Sequence, residues 1–138
     1  MPVPFEGGCR CGAIRYRCTA EPAAFVHCYC RDCQYASGGA SSSVLVVMQE
    51  SVSVEGSPAS FSVAADSGTM VSRLFCGQCG TPLFARNAAT TSLLGIKVAT
   101  LDDPSWLQPS AHIWTDSAPP WVGFHDDLAK FAKNFGAG

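Results

Sequence analysis

The sequence predicts a mainly β protein forming one domain over residues 1–138, with a short C-terminal helix. Three observations carry this. Short segments rich in Val, Ile, Phe and Tyr alternate with Gly, Pro, Asp and Ser turns along the chain. Only one segment, near the C-terminus, has convincing helical spacing. Seven of the eight cysteines fall in three tight clusters, where short irregular loops rather than long helices are expected.

Taken in order, residues 13–18 alternate as a strand, with Ile14, Tyr16 and Cys18 on one face. Residues 24–28 form a short strand that runs into the second cluster, and a turn of helix fits residues 31–36. Residues 43–48 are apolar enough for a buried strand; Val52 and Val54 alternate in the next, before a turn at Gly56, Ser57 and Pro58. Residues 60–64 and 70–76 read as a hairpin around Asp66, Ser67 and Gly68. Residues 93–101 and 111–114 complete the strands. Leu128, Phe131, Ala132 and Phe135 then sit at i, i+3, i+4 and i+7, with Asp126 or Asp127 to cap the helix and Gly136 to end it.

Composition narrows the function. Hydrophobic residues make up 47% of the 138, enough for a core, and charged residues only 14%. A net charge of -2 argues against nucleic acid, which calls for a basic face. No apolar run approaches the roughly 20 residues of a membrane span. The first residues lack the basic and apolar regions of a signal peptide, so a cytoplasmic protein with reduced thiols is expected.

The clusters are Cys9-Arg10-Cys11, Cys28-Tyr29-Cys30-Arg31-Asp32-Cys33 and Cys76-Gly77-Gln78-Cys79. Thiols packed this closely in a reduced chain point to metal rather than disulfides, and zinc suits an all-thiolate donor set. Cys11-Gly12 and Cys79-Gly80 share an ending: a knuckle needs positive φ after its second cysteine, which glycine supplies. The first and third clusters are therefore expected to meet as one four-cysteine structural site, closing the 64 residues between Cys11 and Cys76 into a loop. Cys28, Cys30 and Cys33 remain as a three-cysteine site with an open position. Cys18 or His27 is able to close it; the strand position of Cys18 favours the core, and His27 leaves its strand opposite Cys28. Three thiolates give zinc a formal charge of -1, a setting suited to an incoming thiol.

These residues together resemble the glutathione-dependent formaldehyde-activating enzymes, whose domain is shared with centromere protein V. The resemblance runs from Gly7-Gly8-Cys9-Arg10-Cys11-Gly12, through Cys28-Tyr29-Cys30-Arg31-Asp32-Cys33-Gln34 with Ser37-Gly38-Gly39, to Cys76-Gly77-Gln78-Cys79-Gly80-Thr81-Pro82. It continues at Ala111-His112-Ile113-Trp114 and Ala118-Pro119-Pro120-Trp121. It implies a β-tent of coiled antiparallel sheets stapled by two zinc ions per chain. In that likeness Cys9, Cys11, Cys76 and Cys79 are the structural ligands, and Cys28, Cys30 and Cys33 the catalytic ones. It also implies a carbon–sulfur lyase activity, the condensation of formaldehyde with glutathione to S-hydroxymethylglutathione. The family often has His where this chain has Tyr29.

Further candidates lie close by. Gln34, Ser37, Gly38 and Gly39 follow the open site and are expected to shape a substrate pocket, with backbone N–H groups toward an oxyanion. His112 is a candidate proton shuttle, and otherwise a hydrogen-bonded structural histidine. Phe61, Phe75 and Phe84 read as core. The expected function is thiol activation for addition to a small aldehyde; the alternatives are a non-enzymatic zinc module for protein contacts and a redox or metal sensor.

Overall fold

The structure, a computed structural model, describes residues 3–134. Two sheets form it. Strands β1 (Phe5–Gly8), β2 (Arg15–Cys18) and β5 (Val52–Glu55) make a three-stranded antiparallel sheet in the order β1-β2-β5. The larger sheet takes β3 (Ala24–Cys28), β4 (Ser42–Met48), β6 (Ala59–Ala64), β7 (Met70–Phe75), β8 (Pro82–Asn87), β9 (Leu93–Lys97), β10 (Ala111–Ile113) and β11 (Ala129–Lys130). Its order is β11-β10-β3-β4-β9-β8-β7-β6. The sheet is mixed rather than wholly antiparallel, because β10 runs parallel to both β3 and β11.

The two sheets share one core. Phe5, Tyr16 and Cys18 from the small sheet meet Leu45, Val47, Leu83, Phe84, Leu94 and Ile96 from the large one. Alternation explains the choice: Leu45 and Val47 point inward while Val44 and Val46 face the other way, toward a cavity. Cys18 is fully buried in this cluster, with Sγ 3.4 Å from Ser51 Oγ, so it packs as a small hydrophobe away from the second cysteine cluster.

The only α-helix among the described residues is α1 (Arg31–Ser37), at the expected turn. Cys30 caps it: its sulfur accepts from the Cys33 N–H at 3.3 Å. Gly38, at φ 72°, ends it.

The C-terminal helix does not form. Residues 129–130 add to the sheet edge as β11, and the following backbone is committed to the same edge. Phe131 N–H donates to the His112 carbonyl at 2.9 Å, and the Lys133 and Phe131 carbonyls accept from Trp114 and Thr115. Asp126, expected as a helix cap, instead accepts from Leu128 N–H at 3.0 Å and faces His112. So short a helix is marginal alone, and a free sheet edge offers its backbone stronger competition. Phe135 and Gly136 lie outside the described residues.

Candidate functional site

The knuckles are built as local chemistry requires. Gly12 N–H donates to the Cys9 carbonyl at 3.1 Å and Gly80 N–H to the Cys76 carbonyl at 2.8 Å, with φ of +83° and +79°. The Ile14 N–H points at Cys9 Sγ (3.2 Å) and the Cys79 N–H at Cys76 Sγ (3.4 Å). Hydrogen bonding from the Thr81 hydroxyl and N–H pulls the Cys79 thiol down to about 5. The sulfurs of Cys9, Cys11, Cys76 and Cys79 lie within 4.8 Å of one another, a cluster that can hold a metal ion. The matching Cys-Gly turns do meet in space. Since a Cβ at Gly80 would touch nothing within 4 Å, Gly80→Ala carries only the backbone penalty of positive φ. A loss of about 1–2 kcal/mol in denaturant unfolding is expected for the metal-loaded protein.

Cys28 at the end of β3, Cys30 at the cap and Cys33 in the first turn of α1 form a second cluster, also within 4.8 Å. It has no fourth His, Cys, Asp or Glu ligand among the described residues. The three thiols line a cavity of about 440 Å3 whose walls include Val26, Val44, Arg73, Ile113 and Trp114. All eight cysteines are free thiols. In the second cluster the thiols shift in opposite directions, Cys33 down and Cys28 up. Hydrogen bonds from Cys28 and Cys30, aided by the positive charges of Arg73 and Lys97, lower Cys33 to about 3. The same hydrogen bonding, with burial, pushes Cys28 up.

His27 does not join the cluster. It alternates with Val26 and Cys28, which line the cavity, and bonds Ser43 Oγ at 2.9 Å on the other face. His112, its partner across β10, also faces away from that cavity. Its ring is held between the Tyr29 hydroxyl (2.9 Å from Nδ1) and the Asp126 carboxylate (3.0 Å from Nε2). An ionised Asp126 only accepts, so Nε2 carries the proton and Nδ1 accepts from Tyr29. The hydrogen bond from His112 holds Asp126 below the usual carboxylate range. That contribution to stability is present above the ordinary carboxyl pKa and is lost as pH falls through the lowered one. The chain Asp126–His112–Tyr29 thus anchors the loop carrying Cys28 and Cys30. Tyr29→Phe leaves the buried His112 Nδ1 unpaired; it is expected to cost about 1–3 kcal/mol in thermal or denaturant unfolding with metal content unchanged.

The pocket candidates after α1's first turn have other occupations. The Gln34 amide donates to the Tyr29 carbonyl (2.8 Å) and to the Ser117 carbonyl (3.0 Å). Gly38 N–H is used by the helix end and Gly39 N–H by Ser37 Oγ at 3.0 Å. Neither glycine N–H is left for an oxyanion, and none of the four lines the thiol cavity. Ser37 instead lines a separate cleft beside Cys9, Arg15 and Lys97.

Two residues at the site escaped the sequence reading. Arg73 on β7 sends Nη2 to within 3.9 Å of Cys33 Sγ. Lys97, at the end of β9, is only 7% exposed and donates from Nζ to Ser42 Oγ at 2.7 Å. The available signal was a cation inside an otherwise apolar β run, at Leu93-Leu94-Gly95-Ile96-Lys97. Phe61 corrects the core assignment: it is 64% exposed and, with Phe75 and Phe84, lines a second cavity.

Known proteins agree with this architecture. A Halomonas elongata protein provisionally named as a glutathione-dependent formaldehyde-activating enzyme is 27% identical over 123 residues, covering 85% of this chain and 78% of that protein. The crystal structure of a Rhodobacter sphaeroides protein superposes with a TM-score of 0.58 at 19% identity, over 76% of this chain and 92% of that one, and so shares the fold. The family described as glutathione-dependent formaldehyde-activating enzyme matches residues 4–117, which include both cysteine clusters, and the chain belongs to that family.

Proposed function

We propose that this protein is a zinc-dependent carbon–sulfur lyase that activates a thiol such as glutathione for addition to formaldehyde or another small aldehyde, or runs the reverse, in the cytoplasm. The carrying observation is the three-thiol cluster of Cys28, Cys30 and Cys33, without a fourth protein ligand among the described residues, on the wall of a 440 Å3 cavity.

The donor sets fit zinc. A tetrahedral zinc with Zn–S bonds near 2.3 Å places its sulfurs about 3.8 Å apart. Cys9 and Cys11 sulfurs are 3.6 Å apart, and Cys11 and Cys76 sulfurs 3.7 Å. Cys9, Cys11, Cys76 and Cys79 would hold a closed structural ion, and Cys28, Cys30 and Cys33 an open one. Zinc bound at the open set supplies Lewis acidity that lowers the pKa of an incoming thiol.

The chain's own residues do the rest. Arg73 and Lys97 place positive charge beside a cluster that three thiolates make strongly negative, and so favour arrival of a further thiolate. In the forward reaction the thiol sulfur bonds to the carbonyl carbon, the C=O π pair moves to oxygen, and the thiol proton ends on that oxygen. Val26, Val44 and Ile113 give the cavity an apolar stretch of wall among its polar and charged lining. His112 positions the loop through Tyr29, and Gln34 ties Tyr29 to Ser117; both are positioning residues rather than proton carriers.

Exchange NMR between formaldehyde and its glutathione hemithioacetal tests the reading. The metal-loaded protein is expected to accelerate exchange over the uncatalysed reaction. No acceleration would leave a zinc-stabilised interaction module or sensor as the better account.

A further inference from the structure

Beside the thiol cavity lies a second one, of about 410 Å3, which the reaction above does not use. Phe61, Val63, Leu74, Phe75, Pro82 and Phe84 make its apolar wall. Charge reaches it from Arg73, Lys97 and the half-buried Asp32, and the two cavities share Arg73 and Asp32. Formaldehyde has one carbon and glutathione is a polar tripeptide, so neither has an apolar body to place against such a wall.

Neither cation has a salt-bridged carboxylate among the described residues, and Arg73 Nη2 lies 3.9 Å from Cys33 Sγ. Lys97 is almost fully buried, yet its hydrogen bond goes to the neutral hydroxyl of Ser42. Arg73 Nε is buried with no hydrogen-bond partner among the described residues. A buried donor without an acceptor is costly, and a charged one more so. An acceptor brought by a ligand would remove that cost. Asp32, in α1's first turn, is the single carboxylate lining the cavity, so cations outnumber it there.

We infer that this cavity is the subsite for a carbonyl substrate larger than formaldehyde, with an apolar body of several carbons ending in a carboxylate. The body packs on Phe61, Leu74 and Phe84, and the carboxylate accepts from Arg73 within the field of Lys97. Because Arg73 lines both cavities, a molecule held by it lies next to the wall that carries Cys28, Cys30 and Cys33. The substrate role rests on the thiol-addition reading; binding of the carboxylate does not.

The test titrates 3-phenylpropionate, its uncharged amide and acetate into metal-loaded protein, read by calorimetry and backbone amide shifts. Saturable binding of 3-phenylpropionate is expected, with shifts at Phe61, Leu74 and Phe84. The amide, which loses the charge-assisted hydrogen bond, is expected to bind at least about tenfold more weakly. Acetate, which lacks the apolar body, is also expected to bind at least about tenfold more weakly. Arg73→Gln should bring acid and amide within about twofold of each other, and Phe61→Ala, at an exposed position, should weaken both. No saturable binding, an amide as tight as the acid, or acetate as tight as 3-phenylpropionate would overturn the inference, the last by pointing to simple metal ligation. If Arg73→Gln fails to fold, the three-ligand comparison on the native chain decides alone. Formaldehyde exchange without 3-phenylpropionate binding sinks the subsite and spares the reaction; binding without exchange sinks the reaction and spares the carboxylate site.

Discussion

Cys76→Ser is expected to remove one zinc equivalent and with it the folded state. Cys76 is buried at the start of the second knuckle, and its sulfur sits 3.7 Å from that of Cys11. It also accepts from the Gln78 and Cys79 N–H groups, so the turn is organised around it. Structural zinc contributes about 10–16 kcal/mol of binding free energy in small zinc domains, against about 5–15 kcal/mol for the stability of a whole domain. Serine is a poor ligand for zinc, and the loss of one thiolate from a closed set is comparable with everything that holds the chain together. Far-UV and near-UV circular dichroism, with metal analysis of the purified variant, would check this. A cooperative melt near that of the native protein, with metal content unchanged, would show that the first and third clusters do not hold a structural ion.

Cys33→Ser is expected to behave differently: it should remove the other zinc equivalent, leave the fold intact and reduce thiol–formaldehyde exchange to the uncatalysed rate. The two sites differ in what surrounds them. The four-cysteine site links residues 9–11 to residues 76–79 across the chain, whereas Cys28, Cys30 and Cys33 are neighbours already joined by β3 and α1. The loop between them has its own supports in the Tyr29–His112 contact and in Gln34, which holds the Tyr29 and Ser117 carbonyls. Closing so short a loop relieves little chain entropy, so its metal is needed for chemistry more than for folding. Metal analysis showing one remaining zinc, a near-native melt and lost exchange would agree. Retained exchange in a one-zinc variant would move the reaction away from these thiols.

The parts legible in the sequence are those that local chemistry decides. Cys-x-Cys and Cys-x-x-Cys spacings hold two sulfurs within a turn whatever the rest of the chain does. A glycine after the second cysteine marks the positive φ each knuckle needs, as Gly12 and Gly80 show. Strand alternation placed Ile14, Tyr16 and Cys18 in the core and set His27 against Cys28. A turn of helix over residues 31–36 was also expected, and the structure forms it as Arg31–Ser37 between the Cys30 cap and Gly38.

The parts that were not legible depend on neighbours far away in the chain. Leu128 to Ala132 carry a helical pattern, but the edge of β10 captured their backbone, and no local signal announces an unpaired edge. For His112 the sequence left both a proton shuttle and a hydrogen-bonded structural histidine open, and only the fold brings Tyr29 and Asp126 to its two ring nitrogens. Phe61 is apolar enough for a core, yet its place on the edge strand β6 leaves it exposed over a cavity. Arg73 and Lys97 sit 24 residues apart in the chain and reach the thiols only because β7, β8 and β9 are consecutive in the sheet. By itself, then, the sequence determined the mainly β character and which cysteines cluster, since hydrophobic alternation and ligand spacing act over a few residues. Only the tertiary structure decided which cations and which apolar wall meet the open thiols, because strand order and register bring together residues that no local rule connects.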